Sequence, residues 1–127
     1  PFKQKSMREL KFRAWHKVKQ IMFKVHSFSE TFVYDDLPIG VRLPDRTEDC
    51  VLMQYTGLLD KNGNEIYEGD IVNHDSSPYP CEIFWRKDTA RFMAKEIYNK
   101  MGKKKKFNVS KPERMIVDTN IYENKKQ

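Results

Sequence analysis

Apolar and polar residues alternate near the start of the chain. Leu10, Phe12 and Ala14 share one side of this alternation, and charged residues occupy much of the other side. A period of two residues is typical of a β-strand with one buried face. The pattern therefore predicts strands over residues 7–15 and 21–25, joined as a hairpin by a polar turn.

The clearest turn lies in the middle of the chain. Residues 50–56 and 65–67 have the composition of strands, and Asn62-Gly63 between them tolerates the positive φ that a tight hairpin turn requires. Gly69 interrupts the apolar pattern that follows, as glycine does at a bulge or a sharp bend. Further short strands are predicted over residues 33–34, 71–72, 81–85, 107–109 and 115–122.

The period changes in the last third of the chain. Asp88 is suited to cap the N-terminus of a helix, and Gly102 is suited to end one. Apolar residues between them recur at helical spacing, at Ala90, Met93, Ala94, Ile97 and Met101. We therefore predict one helix over residues 88–101 in a fold that is otherwise mainly β, of the α+β class.

The length of the chain favours one domain. A chain of 127 residues can bury a core of its own without metals or disulfides. We predict a single domain over residues 7–124, followed by a frayed tail over residues 125–127. Residues 1–6 precede Met7, which resembles a natural start, and are predicted to be a tag remnant.

The charge of the chain does not select a class of partner. The formal net charge is +6, and from Met7 onward 22 basic residues stand against 18 acidic ones, which leaves +4. Four basic residues form one run, Lys103, Lys104, Lys105 and Lys106. The run could contact the phosphates of a nucleic acid. We favour a solvated loop after the predicted helix, because cations suit a helix C-terminus.

Residues that bind metals or act as nucleophiles are scattered along the chain. Cys50 and Cys81 have no adjacent histidine, and two cysteines are too few for a zinc site by themselves. His16, His26 and His74 lack the spacing of metal ligands. We therefore predict buried thiols and no metal site.

Acidic pairs occur at Asp35-Asp36 and Glu48-Asp49, both in predicted loops. Catalytic acids usually need a cleft that shifts their pKa, and loop pairs of this kind are commonly solvated. The sequence contains no nucleophile elbow, phosphate loop or dinucleotide fingerprint. We therefore predict no catalytic residues and no cofactor, and we expect that the protein is not an enzyme.

Three stretches of the sequence resemble one family. MRELKFRAW over residues 7–15 is similar to the N-terminal signature of the YopX family, and LMQYTGLLDKNGNEIYEGDIV over residues 52–72 is similar to its central signature. NIYEN over residues 120–124 resembles its C-terminal ending. His16 stands where the family pattern has an aspartate, and residues 86–106 match none of its motifs. A function peculiar to this chain is therefore expected in that segment.

The resemblance implies a phage or prophage origin and a location in the cytoplasm of the bacterial host. It implies a mostly β fold with a part similar to a small SH3-like barrel. It supplies no catalytic residues, because it implies no established activity.

The residues that carry the resemblance have a structural explanation. Their glycines suit turns, and their apolar and aromatic residues suit core strands. The alternative is a ligand-binding surface formed by Trp15, Gln54, Tyr55 and Tyr67, which requires that the aromatic side chains be exposed.

Two binding functions remain. The first is a non-catalytic module that binds a host or phage protein, with self-association through unpaired strand edges as one option. The second is a nucleic-acid-binding module whose basic surface includes the run at residues 103–106. An enzyme ranks third. A membrane partner is not expected, because the apolar runs are far shorter than the ~20 residues of a spanning helix.

Overall fold

The chain forms two compact units. The computed structural model describes residues 9–38, 42–97, 104–109 and 111–123. One unit ends at Gly57 and the other begins at Leu58. The prediction of one domain over residues 7–124 does not distinguish these two units.

The first unit is built from antiparallel hairpins. Its strands are β1 Phe12–His16, β2 Ile21–Phe28, β3 Phe32–Asp35, β4 Asp45–Arg46 and β5 Cys50–Leu59. The strands lie in the order β4-β3-β2-β1-β5. The predicted first hairpin is confirmed, with Phe12 opposite Val25 and His16 opposite Ile21. Its turn closes where the N–H of Gln20 donates to the carbonyl of His16 at 2.8 Å.

The second unit contains the short strand β6 Glu65–Tyr67 and a five-stranded antiparallel sheet. The strands of this sheet are β7 Asp70–His74, β8 Cys81–Arg86, β9 Arg91–Glu96, β10 Lys106–Asn108 and β11 Met115–Asn120. β6 pairs with β5, and the sheet has the order β10-β9-β8-β7-β11. The core is a fully buried cluster of side chains from β6 to β9 and β11, namely Ile66, Val72, Cys81, Ile83, Ala94 and Met115.

The helix predicted over residues 88–101 is wrong for the residues that the structure describes. β9 returns antiparallel beside β8, so that Arg86 lies opposite Arg91, and Ala90 takes a φ of 52° in the turn between them. The sequence of this segment is compatible with a helix as well as a strand, and pairing with β8 decides between the two. Residues 98–101 lie outside the described residues.

The mainly β class is confirmed. Helical structure within the described ranges is limited to two 3-10 turns, Thr47–Asp49 and Pro112–Arg114. The predicted SH3-like barrel is not confirmed, because the described strands form two sheets that each end in edge strands and do not close. The edges are β4 and β6 in one sheet and β10 and β11 in the other.

The turn predicted at Asn62-Gly63 is confirmed, and a buried carboxylate holds it in place. Gly63 has a φ of 82°. Asp60 Oδ1 accepts the N–H groups of Asn62 and Asn64, each at 2.8 Å, and Oδ2 accepts the N–H of Val117 at 2.9 Å. Burial acts to raise the pKa of Asp60, but these N–H groups outweigh burial and lower it. The carboxylate therefore ties the hairpin loop to β11.

A second bend, before β7, is built in the same way. Gly69 has a φ of 88°, and its N–H donates to the carbonyl of Ile83 at 2.8 Å. The buried Asp70 accepts the N–H of Tyr67 at 2.7 Å. Polar residues of the central signature thus satisfy backbone groups at two sharp changes of chain direction.

Replacing Asp60 by Asn removes the charge and turns one acceptor oxygen into a donor. We expect the free energy of unfolding to fall by about 2 kcal/mol near neutral pH, because a charged acceptor of backbone N–H groups is lost. The stabilisation from Asp60 is present above its unfolded pKa of 3.8. It is lost as the pH falls through that value toward the lowered folded pKa, so the two proteins should converge in acid.

Urea unfolding at a series of pH values measures this difference. Lys61→Gln, in the same turn, is the matched control, because it alters an exposed side chain and keeps the backbone hydrogen bond to Met115. Equal stability of Asp60→Asn and the wild-type protein at neutral pH would refute the assigned role.

Candidate nucleic-acid interface

The outer face of β8, β9 and β10 carries a regular grid of side chains. Side chains alternate between the two faces along each strand, and the strand register shows which of them lie together on the face opposite the core. The row nearest the β8–β9 turn holds Arg86 and Arg91. The other two rows contain Phe84, Met93 and Asn108 in the middle, and Glu82, Lys95 and Lys106 at the far end. We call this set of residues the basic face.

Two like-charged pairs lie directly opposite each other on the basic face. Arg86 faces Arg91 across β8 and β9, and Lys95 faces Lys106 across β9 and β10. Like charges at directly opposed positions of a sheet destabilise it. The two pairs stand at opposite ends of the grid, four residues apart along β9. The basic face therefore concentrates positive charge, and the repulsion lowers the stability of the folded protein.

Local partners neutralise this charge only in part. Glu82 is the one carboxylate of the grid, and its Oε1 lies 3.9 Å from Lys95 Nζ. Arg86 Nε donates to Asp88 Oδ1 in the adjoining turn at 2.8 Å. That hydrogen bond lowers the pKa of Asp88. Arg91 donates to the neutral amide oxygen of Asn108 at 3.1 Å, so the face remains positive.

An aromatic ring lies between the two cation pairs. Phe84 is half-buried, and Lys95 Nζ lies 5.0 Å from the centre of its ring. Arg86 Nη1 is 3.7 Å from the sulfur of Met93, which lies opposite Phe84. Met93 is itself only 7% exposed, so Phe84 alone gives the centre of the basic face an accessible apolar surface. Cations surround this ring, an arrangement that suits ligands with both phosphates and flat rings.

The lysine run contributes one residue to the basic face. Lys106 begins β10 and points outward with Lys95, whereas Lys105 points the other way, with its Nζ 5.8 Å from the ring of Phe107. Lys104 is exposed just before β10, and Lys103 lies outside the described residues. The lysines of the run that the structure describes are exposed, as a solvated loop predicts, but Lys106 belongs to a strand and not to a loop after a helix.

The backbone before β10 is held by a buried glutamate. Glu96 Oε1 accepts the N–H of Lys105 at 3.0 Å, and Oε2 accepts the hydroxyl of Ser77 at 2.6 Å. The N–H of Glu96 also donates to the carbonyl of Lys105 at 2.9 Å. These bonds fix the point at which β10 joins β9, and with it the position of Lys106.

The alternative surface predicted at Trp15, Gln54, Tyr55 and Tyr67 lacks the exposure that it requires. The three aromatic residues are 6%, 6% and 7% exposed, and Gln54 is half-buried. Alternation along β1 sends Trp15 to the face opposite Ala14, yet both side chains are buried. The sheet is covered on both sides there, so burial explains these residues better than ligand stacking does.

A cluster of charges in the first unit was missed by the sequence analysis. Asp45 is buried, and its Oδ1 lies 2.8 Å from Lys19 Nζ and 3.4 Å from His16 Nε2. The guanidinium of Arg42 bonds the second oxygen of Asp45 and lies 3.1 Å from Asp35 Oδ2. Asp35, from the first acidic pair, is therefore engaged in holding the loop that precedes β4.

The second acidic pair is also in a structural setting. Glu48 forms a surface ion pair with Arg46 at 2.7 Å, and Asp49 accepts the backbone N–H of Lys17 at 2.8 Å through its carbonyl. Ion pairs as exposed as this one contribute little to stability.

Both cysteines and His74 are in settings that favour their neutral forms. Burial raises the pKa of Cys50 and of Cys81, so both remain thiols at neutral pH. Burial, Arg114 and Lys105 lower the pKa of His74, and its Nδ1 accepts the N–H of Ser76 at 2.8 Å.

Hydrogen bonds also hold the ring of His16 in place. The Nδ1 atom of His16 accepts the N–H of Lys19 at 3.0 Å, which leaves its hydrogen on Nε2 toward Asp45. Across the described ranges, no three histidine, cysteine or acidic side chains come together as metal ligands. No helix described in the structure is both long and apolar enough to cross a membrane.

The comparison with protein families covers nearly the whole chain. The sequence model of the YopX protein family matches residues 11–126. The chain belongs to the YopX family. The match includes the segment 86–106, in which the sequence alone shows no family motif, and so includes the basic face.

The fold of this YopX-family chain is similar to that of a solved structure. The crystal structure of protein EF1440 from Enterococcus faecalis matches with a TM-score of 0.66 and 26% sequence identity, over 93% of this chain and 96% of that chain. Its name states no activity. No match was found among curated proteins.

Three of the four cations of the basic face were missed by the sequence analysis. Residues 91–96 contain three consecutive apolar residues between charged ones, so their sequence does not alternate. Only the pairing of β9 with β8 places Arg91 and Lys95 on one face with Arg86, and the helical interpretation of residues 88–101 predicted no such pairing.

Replacing Lys106 by Glu places a carboxylate opposite Lys95 and removes one repulsive pair. We expect the free energy of unfolding to rise by about 0.2–1 kcal/mol, because opposite charges at directly opposed positions attract. Urea unfolding at low salt measures the change. Lys111→Glu, at an exposed position off the three strands, is the control for net charge. A loss of stability confined to Lys106→Glu would contradict the repulsion.

Proposed function

We propose that this YopX-family protein is a non-catalytic module that binds nucleic acid through its basic face. The observation that carries the proposal is the pair of like-charged couples, Arg86 with Arg91 and Lys95 with Lys106. Such an arrangement costs stability in the free protein. An anionic ligand that bridges the cations would relieve this cost.

Phosphates account for the charge better than isolated carboxylates do. A nucleic acid presents a regular series of negative charges, and each cation that neutralises a phosphate releases condensed counterions. Four cations in contact with a single strand give a slope of log affinity against log salt near −2.8, which is roughly a 50-fold loss between about 50 and 200 mM salt. The net charge of +4 from Met7 onward adds long-range attraction.

A non-catalytic role is supported by the state of the reactive groups. Both thiols have raised pKa values, and the Nδ1 atoms of His16 and His74 are occupied by backbone N–H groups. We propose in addition, from the resemblance alone, that the protein is a phage or prophage accessory protein that acts in the cytoplasm of the bacterial host.

The salt dependence of binding tests the proposed function. Fluorescence polarisation with a labelled oligonucleotide of about 20 nucleotides, at about 50 and 200 mM salt, measures the slope. We expect binding that weakens steeply with salt. In the double variant Lys95→Gln/Lys106→Gln the slope should shrink by about 1.4 on a single strand, because two phosphate contacts are lost.

The matched control is Lys61→Gln/Lys111→Gln. It removes the same charge from exposed positions in the same unit but off the three strands. Its slope should equal that of the wild-type protein. No binding at the lower salt concentration, or an equal loss of slope in both double variants, would refute binding by the basic face.

A protein partner is the second candidate function, and one observation favours it. Phe32 and Tyr34 alternate on β3 and point to the same face, where they are 39% and 46% exposed. The edge strand β4 pairs with only two residues of β3. Exposed aromatic residues beside a short edge are typical of protein interfaces, including those between copies of one chain.

The double variant Phe32→Ser/Tyr34→Ser tests this second function. We expect it to lose a protein that the wild-type chain captures from bacterial lysate, or to lose self-association measured by sedimentation. Leu43→Ser, which alters a highly exposed apolar residue of the same unit, is the control. If capture and sedimentation are identical for all three proteins, this surface is not an interface.

A further inference from the structure

We propose that the ligand of the basic face is single-stranded nucleic acid, one base of which stacks on Phe84. This inference rests on the proposed function and specifies its substrate class. Three features of the second unit carry it, namely the shape of the sheet, the aromatic ring between the cations, and the spacing of the two cation pairs.

The shape of the face does not suit the grooves of a duplex. The major groove of B-DNA is about 12 Å wide and admits a helix or a two-stranded ribbon. The basic face belongs to a five-stranded sheet, and five strands span about 19 Å at the usual spacing. The cations therefore cannot follow the sheet into the groove, whereas a flexible single strand can lie across the surface.

The ring of Phe84 explains why a single strand is preferred to phosphates alone. Bases can stack on a protein ring only when they are unpaired, and each stacked base contributes a sequence-tolerant attraction. Phe84 lies in the middle row with Met93 opposite it. Lys95 Nζ, 5.0 Å from the centre of the ring, belongs to a flexible side chain that can turn to a phosphate and leave the ring to a base.

The spacing of the cation pairs sets the length of the site. Arg91 and Lys95 are separated by four residues of β9, which is about 13 Å along an extended strand. That distance corresponds to about four nucleotides at the stacked spacing of 3.4 Å. A strand can therefore place phosphates at both ends of the grid while an intervening base reaches Phe84.

Competition between nucleic acids of equal length tests the inference. The probe is a labelled oligothymidine of about 20 nucleotides, and the competitors are the unlabelled oligothymidine, a duplex, and an oligomer of the same charge whose residues are abasic. We expect the duplex and the abasic oligomer to compete at least 5-fold more weakly than oligothymidine. Equal competition by the abasic oligomer would overturn stacking, and equal or stronger competition by the duplex would overturn the preference for single strands.

The variant Phe84→Leu separates stacking from charge. We expect roughly 5- to 100-fold weaker binding of oligothymidine, as for the loss of one stacked base. Binding of the abasic oligomer and the salt slope should be unchanged, because the cations remain. Phe28→Leu, at an exposed position of β2 in the first unit, is the matched control, and thermal unfolding checks that both variants are folded. Equal losses on oligothymidine and on the abasic oligomer would assign Phe84 a structural role and overturn the inference.

These outcomes are distinct from failure of the proposed function. If no nucleic acid binds at low salt, both the function and the inference are refuted. If duplex and single strand bind equally, with a slope that depends on Lys95 and Lys106, only the inference is refuted.

Discussion

The register of β8 against β9 determines both sides of the second sheet. It places Ile83 opposite Ala94 in the core and, by the same alternation, Arg86 opposite Arg91 on the outer face. A slip by one residue would exchange the two faces and bring cations into the core. Burial of the apolar side therefore enforces the like-charge contacts on the other side, and the basic face exists because the core requires this register.

Carboxylates in and beside the loops that flank the sheet stabilise its backbone. Asp60 connects the β5–β6 loop to β11, and Asp70 and Gly69 shape the bend before β7. Glu96 fixes the start of β10 from within the same sheet. Each buried carboxylate accepts backbone N–H groups, which removes the penalty for leaving these groups unsatisfied. Two polar residues of the central signature, Asp60 and Asp70, are thus explained by the backbone geometry that they support.

Charge is compensated around Asp45 and only partly compensated on the basic face. In the first unit, Asp45 gathers three cationic or imidazole partners, although Arg13 of the same unit lies directly opposite Lys24. In the second unit, four cations share one face with a single carboxylate in the grid, Glu82. Compensated charge holds a structure together, whereas uncompensated charge on a surface attracts an anionic partner.

The local features of this protein follow from short stretches of its sequence. The first hairpin, the turn at Asn62-Gly63, the bend at Gly69 and the mainly β class all depend on residues close together in the chain, so periodicity and turn chemistry were sufficient. The strand over residues 91–96 depends instead on long-range contacts, because its sequence is also compatible with a helix and pairing with β8 decides between the two. The same long-range pairing brought Lys106 beside Lys95 and created a site that is not contiguous in sequence.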